Sequence, residues 1–340
     1  MAYTTINKST DYFNTKLYTG NGSTNAITGV GFQPDMCWWK MRSGIEDHAL
    51  GDAVRGAEYI VKPNSNGAQA QSASYFSSFD SDGFTLGSDT KTNGNGSTYA
   101  SWNWKANGQG SSNTDGSITS TVSVDTTSKC SIVKFTSSGS GGTVGHGLGV
   151  APKVIIFKRL DAASDWAVYQ ESMGNVNMMF LNTTTAPSSN PSILNSTSPT
   201  STLFTVGSSN IVTGGPVIAY CFSEVQGYSA FGQYRGNAVA TDGTFVNCGF
   251  RPSLVIQKRL DGAEPWFIFD DKRQGYNPEN EYLLSNSTDA EGTSNRVDLL
   301  SNGFKLMTTD GGNNANGGPY IYMAWGHTLV GSNNVPANAR

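Results

Sequence analysis

Each of three stretches of the chain carries a continuous apolar run of about five residues directly after a proline. The first reads Gly31-Phe32-Gln33-Pro34-Asp35-Met36-Cys37-Trp38-Trp39-Lys40. The second reads Gly149-Val150-Ala151-Pro152-Lys153-Val154-Ile155-Ile156-Phe157-Lys158. The third reads Gly249-Phe250-Arg251-Pro252-Ser253-Leu254-Val255-Ile256-Gln257-Lys258, and the proline-to-lysine spacing is six in all three. An apolar run this short predicts a β-strand covered on both faces. Proline sits at its entry, where a missing N–H costs least.

Other elements recur at matching distances from that proline. An opening strand precedes it, at Lys16-Leu17-Tyr18-Thr19, Ile132-Val133-Lys134-Phe135 and Phe231-Gly232-Gln233-Tyr234. His48, Trp166 and Trp266 lie 14 residues on, and Asp52, Gln170 and Asp270 lie 18 on. Phe84, Phe204 and Phe304 follow at 50, 52 and 52 residues, a drift of the size a loop insertion produces. Each copy closes on an aromatic strand, Tyr99–Trp104, Val217–Phe222 or Tyr320–Trp325. Turn signals such as Asn21-Gly22, Asp82-Gly83, Asp115-Gly116, Asp242-Gly243 and Asp310-Gly311 fall between the runs. The pattern predicts an all-β chain of three tandem β-sandwich domains of jelly-roll or concanavalin-like type, each with seven or eight short strands. Residues 1–12 read as an N-terminal arm, 13–108 as repeat 1, 129–226 as repeat 2, 227–330 as repeat 3 and 331–340 as a C-terminal tail. Between repeats 1 and 2 the segment 109–128, rich in Gly, Ser and Thr, reads as a linker. The predicted arrangement is a rigid pair of repeats 2 and 3 with a more loosely tethered repeat 1.

Composition agrees with short strands and many turns. The 340 residues include 40 Gly and 11% aromatics but only 14% charged residues. A net charge of −4 with no basic block argues against nucleic-acid binding. No apolar run approaches a membrane span, and the first ten residues lack the pattern of a secretory signal, so synthesis and assembly in a cytoplasm are expected. Cys37, Cys130, Cys221 and Cys248 have no CxxC spacing and read as buried free thiols. The Asn-x-Ser/Thr triplets at Asn21, Asn182 and Asn286 read as chance matches in polar loops.

Candidate chemistry is sparse. His48, His146 and His327 stand in no nucleophile elbow, HExxH or metal-ligand spacing. The glycine-rich stretch 139–149 leads into a strand rather than a helix and reads as a hairpin turn, not a phosphate cradle. Asp80-Ser81-Asp82-Gly83 begins like a calcium loop, but position 91 is Lys where a bidentate Glu is needed, so a β-turn is expected. The matched acids Asp52 and Asp270 give one per copy, with Gln170 between, and form no pair suited to glycoside hydrolysis. Exposed aromatics could stack on sugar rings. Trp166 and Trp266, beside Asp165 and Glu264, are the candidates for such a binding rim, with His48 at the matching place in repeat 1; packing is the alternative for all three, and the favoured one. No catalytic residue, metal site or cofactor is expected.

Several motifs carry a resemblance across the whole chain: Gly20-Asn21-Gly22, Val54-Arg55-Gly56, Phe79-Asp80-Ser81-Asp82-Gly83-Phe84, Trp102-Asn103-Trp104-Lys105-Ala106, Gly145-His146-Gly147-Leu148-Gly149 and Ile218-Ala219-Tyr220-Cys221-Phe222. With these the chain resembles a repeat family of marine tailed-phage virion and tail-fibre-like structural proteins with lectin-like jelly-roll domains. The resemblance implies a non-enzymatic virion protein, a tail fibre or appendage that contributes to host attachment. It implies other virion proteins as partners, a homotrimer as the usual fibre geometry, and a bacterial surface polysaccharide or protein as receptor. A capsid or tail decoration protein is the alternative, and a polysaccharide depolymerase a third. Trp39 departs from the aliphatic residue usual before the strand's lysine.

Overall fold

The computed structural model describes residues 4–327, and they form an almost wholly antiparallel β-structure. The repeat seen in the sequence is a repeat of sheet topology. In copy one a four-stranded sheet runs in the order opening strand Phe13–Thr19, closing strand Thr98–Trp104, middle strand Met36–Met41 and flanking strand Ala49–Asp52. Copy two orders Cys130–Ser137, Gly215–Phe222, Val154–Arg159 and Ala167–Gln170 in the same way. Copy three does so with Ser229–Arg235, Pro319–His327, Arg251–Arg259 and Phe267–Asp270. The register matches too, because Trp38 faces Trp102, Ile156 faces Tyr220 and Ile256 faces Met323.

The unbroken apolar run of each middle strand follows from where its two faces go. Successive side chains of a strand point to opposite sides. Met36 and Trp38, Val154 and Ile156, and Leu254 and Ile256 all enter one central core shared by the three copies. The alternate residues turn the other way, into a core private to each copy: Cys37 and Trp39, Ile155 and Phe157, and Val255. A second layer covers each private core. In copy one it is Asn25–Thr28, Gly83–Leu86 and Phe76–Asp80; in copy two, Gly142–Gly145 with Leu203–Val206; in copy three, Phe245–Asn247, Gly303–Leu306 and Gly292–Leu300. Phe84, Phe204 and Phe304 are fully buried there, so the recurrent Phe anchors the outer layer of each sandwich. Gly83 precedes one of them at φ +157°, where a Cβ would lie 1.9 Å from the Ile27 carbonyl oxygen.

The central core is the larger departure from the expected beads on a string. Trp104, Phe222 and Trp325, the equivalent residues near the ends of the three closing strands, meet there. Their ring centroids are 5.5, 5.2 and 6.3 Å apart pairwise. Copy one is therefore not loosely tethered; it is one third of a closed ring. The predicted linker 109–128 is also structured. Ser111–Asn113 and Ser120–Asp125 are strands that extend the copy-two sheet beyond its opening strand. Backbone pairing needs little apolar content, and Val122 supplies it by entering the copy-two core. Within the predicted N-terminal arm, Ile6 is buried in the central core and Ser9–Asp11 form a 3-10 turn. The predicted tail 331–340 lies outside the described residues.

Candidate functional site

His48, Trp166 and Trp266, the sequence candidates for an exposed rim, are all fully buried, so packing, the alternative, holds for each. The reason is that each lies at a seam where a neighbouring copy closes over it, which no single repeat predicts. The Trp166 indole N–H, in copy two, donates to the carbonyls of Lys62 (2.9 Å) and Ser65 (3.1 Å) in copy one. Trp266 Nε1, in copy three, donates to the Phe180 carbonyl of copy two at 3.0 Å. His48 Nε2, in copy one, reaches the carbonyls of Leu284 (3.0 Å) and Ser287 (3.1 Å) in copy three. The three contacts run head to tail and close a ring.

His48 is held in one tautomer. Its Nδ1 accepts from the Trp38 indole at 2.8 Å, so the proton sits on Nε2 and points at the two carbonyls. Burial, reinforced by the Lys40 charge, pushes its pKa down to about 3. A protonated ring would have to be accommodated without water and without the Nδ1 lone pair that Trp38 uses.

Asparagines orient all three seam residues. Asn64, Asn182 and Asn286 accept from the backbone N–H of His48, Trp166 and Trp266 at 2.9, 2.9 and 2.8 Å. Asn182 and Asn286, two of the Asn-x-Ser/Thr matches, thus have a structural task.

The lysine six residues after each proline crosses the same seams. Lys40 Nζ donates to the Thr288 carbonyl (3.2 Å), Lys158 to Asn66 (2.9 Å) and Lys258 to Thr184 (3.1 Å). All three are fully buried. Desolvation pulls each pKa down to about 8. Backbone carbonyls of the next copy cradle the ammonium where a surface lysine would have water.

A third layer of contacts distinguishes the seams. Asp52 pairs with Arg55 inside copy one and accepts from the Tyr220 hydroxyl of copy two at 2.8 Å. Asp270 pairs with Arg273 at 2.7 Å inside copy three and accepts from the Trp102 indole of copy one at 3.0 Å. Both pairs are buried. Tyr220 and Trp102 occupy equivalent places on their closing strands. At the remaining seam the corresponding residues are Gln170, Met173 and Met323. What all three positions keep is the cap of the following turn: Asp52 accepts from Arg55 N (2.9 Å), Gln170 from Ser172 N (3.0 Å) and Asp270 from Lys272 N (3.0 Å). The signal was present in the sequence, since Arg follows Asp by three residues in copies one and three and is Met in copy two, but spacing alone does not say what the pair faces.

The remaining motifs have structural places. Asp82 accepts from the backbone N–H of Gly29 (2.9 Å) and Gly31 (2.6 Å), and Asp80 from Ser78 and Thr85, each at 2.7 Å. The glycine-rich stretch contains Gly142–Gly145, paired with Leu203–Val206. His146 is buried, with Nε2 3.2 Å from the Thr200 carbonyl. The four cysteines are free, and burial raises their thiol pKa values. Among the described residues no three His, Cys, Asp or Glu side chains converge as a metal-binding group.

A family model described as a domain of unknown function, DUF7483, matches residues 8–328. The chain belongs to the DUF7483 family. That match spans all three copies, so the unit of DUF7483 is the whole ring and not one repeat. No curated protein and no solved structure matches the chain.

Proposed function

We propose that this DUF7483 chain is a non-enzymatic structural protein of a phage virion, a tail fibre or appendage protein that contributes to host-surface attachment. The observation that carries the reading is the use made of the buried polar groups. His48, Lys40, Lys158, Lys258 and the Asp–Arg pairs all bind a neighbouring copy or the turn that meets it. Groups spent on holding a scaffold together suit a rigid display module. The virion and appendage parts of the reading rest on the resemblance carried by the sequence motifs. Other virion proteins are its proposed partners, and a homotrimer its proposed assembly.

Particle reconstruction, or immunogold labelling of virions, tests the reading. Density or label on the tail supports it. Label on the capsid lattice makes the protein a decoration protein, and its absence from the particle removes the virion assignment. Release of new reducing ends from host polysaccharide by the purified chain would replace attachment with depolymerisation.

A further inference from the structure

Two seams carry a surface groove at equivalent places, and one of the two is the larger. Each groove lies between the opening strand of one copy and the residue 20 positions after the proline of its neighbour. At the seam of copies one and three the groove is about 320 Å³, lined by Asn14, Thr15, Lys16, Leu17, Gly29 and Lys272. At the seam of copies two and three Gln233 Nε2 bridges to the Ser172 carbonyl at 3.3 Å. At the seam of copies one and two, against Val54, the groove reaches about 560 Å³. Its enlargement comes from Ser111–Asn113 and Ser120–Asp125, the two strands that copy two alone adds outside its opening strand. An element added to one member of a symmetric set marks the place where the members differ in task.

We infer that this enlarged groove is a binding site for an acidic glycan, a polyuronate-like chain. This rests on the attachment reading and names the ligand class for it. The floor is a cross-strand row: Ser112 faces Thr121, and Thr121 faces Lys134. Thr119, Thr136 and Ser138 extend the hydroxyl lining, and Ile118 and Val54 add apolar surface. Hydroxyls offer donors and acceptors to a polyhydroxylated ligand, and the apolar pair suits the C–H face of a sugar ring. None of the lining residues is acidic. The Lys134 ammonium has no ion-pair partner among the described residues. A carboxylate on the ligand completes it. The groove's volume lies within the range usual for small-ligand sites, about 300–1,000 Å³.

Titration calorimetry of the full chain with a short polyuronate oligosaccharide, and with a neutral dextran oligosaccharide of matched length, tests the site. Saturable binding of the polyuronate over dextran is expected, weakened about tenfold by Lys134→Ala. Thr121→Val weakens it too, and Lys272→Ala in the sister groove leaves it unchanged; circular dichroism melts verify that each variant is folded. Undiminished binding by Lys134→Ala overturns the site. Equal weakening by Lys272→Ala does the same, by exposing diffuse charge attraction. If the chain adsorbs to host cell envelopes but takes up no polyuronate, the groove assignment falls and attachment stands. If it adsorbs to no host envelope, attachment itself falls, and the groove assignment with it.

Discussion

Two seams of the ring carry a donor–Asp–Arg arrangement and the third carries Gln170, Met173 and Met323 at the same positions. At the first two, a closing-strand donor reaches across to a buried carboxylate that its own arginine already neutralises. At the third, every member has changed together. A buried ion pair with one partner missing leaves an uncompensated charge, whereas an apolar replacement of the whole group is close to neutral. The three seams agree with that energetics: each carries the donor–Asp–Arg group entire or lacks it entire. The fold tolerates both because the lysine and the ring N–H contacts persist at all three seams.

The most damaging way to break this comparison is to remove one member. Asp52→Ala leaves Arg55 buried without its carboxylate and the Tyr220 hydroxyl without its carboxylate acceptor. It should cost about 3–5 kcal/mol in chemical denaturation. Gln170→Ala at the third seam should cost about 1 kcal/mol, the loss of a turn cap. Comparable losses at both sites would dissolve the distinction.

Acid should separate the seams in a second way. His48 has a folded pKa near 3 against an ordinary value of 6.5. The unfolded chain therefore binds a proton first, and stability falls as the pH drops from about 6.5 toward 3. The matching Trp166 and Trp266 do not titrate. A His48→Gln variant should be less stable at neutral pH but show a shallower loss between those pH values. An unchanged slope would mean that acid acts elsewhere.

The lysines carry the opposite end of the pH scale, and all seams share them. Their folded pKa values near 8 lie below the ordinary 10.5. Between those values the unfolded chain holds more protons, so stability conferred by these groups rises with pH over that window. The groups facing them are Glu46, Asp47, Asp289 and Glu291 around Lys40, Asp165 near Lys158, and Glu264 with Arg259 near Lys258. Buried thiols and tyrosines, whose pKa values burial raises, pull the other way, so the lysine effect is read as a difference. Lys258→Met should lose stability relative to the parent progressively between about pH 8 and 10.5, and a pH-independent gap in melting temperature would refute it.

The sharpest test of the comparison has a small expected effect. Asp52→Gln, Arg55→Met and Tyr220→Met together convert the seam of copies one and two into a copy of the seam of copies two and three. The triple variant should lie within about 1–2 kcal/mol of the parent, far less than the sum of its single substitutions. Additive losses in urea denaturation would refute the view that the group acts as a unit.

The opening-strand, proline-strand and closing-strand order could be read from the sequence because alternation, turn residues and offsets all report local backbone geometry. The ring could not. Trp38 and Trp39 are neighbours in one apolar run, and nothing in that run says that one meets other copies while the other stays at home. Trp166 and Trp266 looked like rim residues because acidic neighbours flank them, yet the loops that bury them come from copies a hundred residues away in sequence. Residues 109–128 read as a linker because Ser and Thr dominate, although Val122 and Val124 alternate with them as a strand requires. Even the equivalence of His48 with two tryptophans was visible without its meaning. What the three side chains share is one N–H aimed at a neighbour, not a heterocycle kept for chemistry.

Joining three copies in one polypeptide has a consequence for how such a ring can diversify. In an assembly of three identical chains any insertion appears three times, and any seam residue must serve all seams at once. Here the strands Ser111–Asn113 and Ser120–Asp125 shape the groove beside copy two and have no counterpart beside the opening strands of the other copies. Likewise, Gln170 and Met323 could replace the polar group at one junction without testing the other two. Covalent linkage lets a threefold body specialise one side at a time.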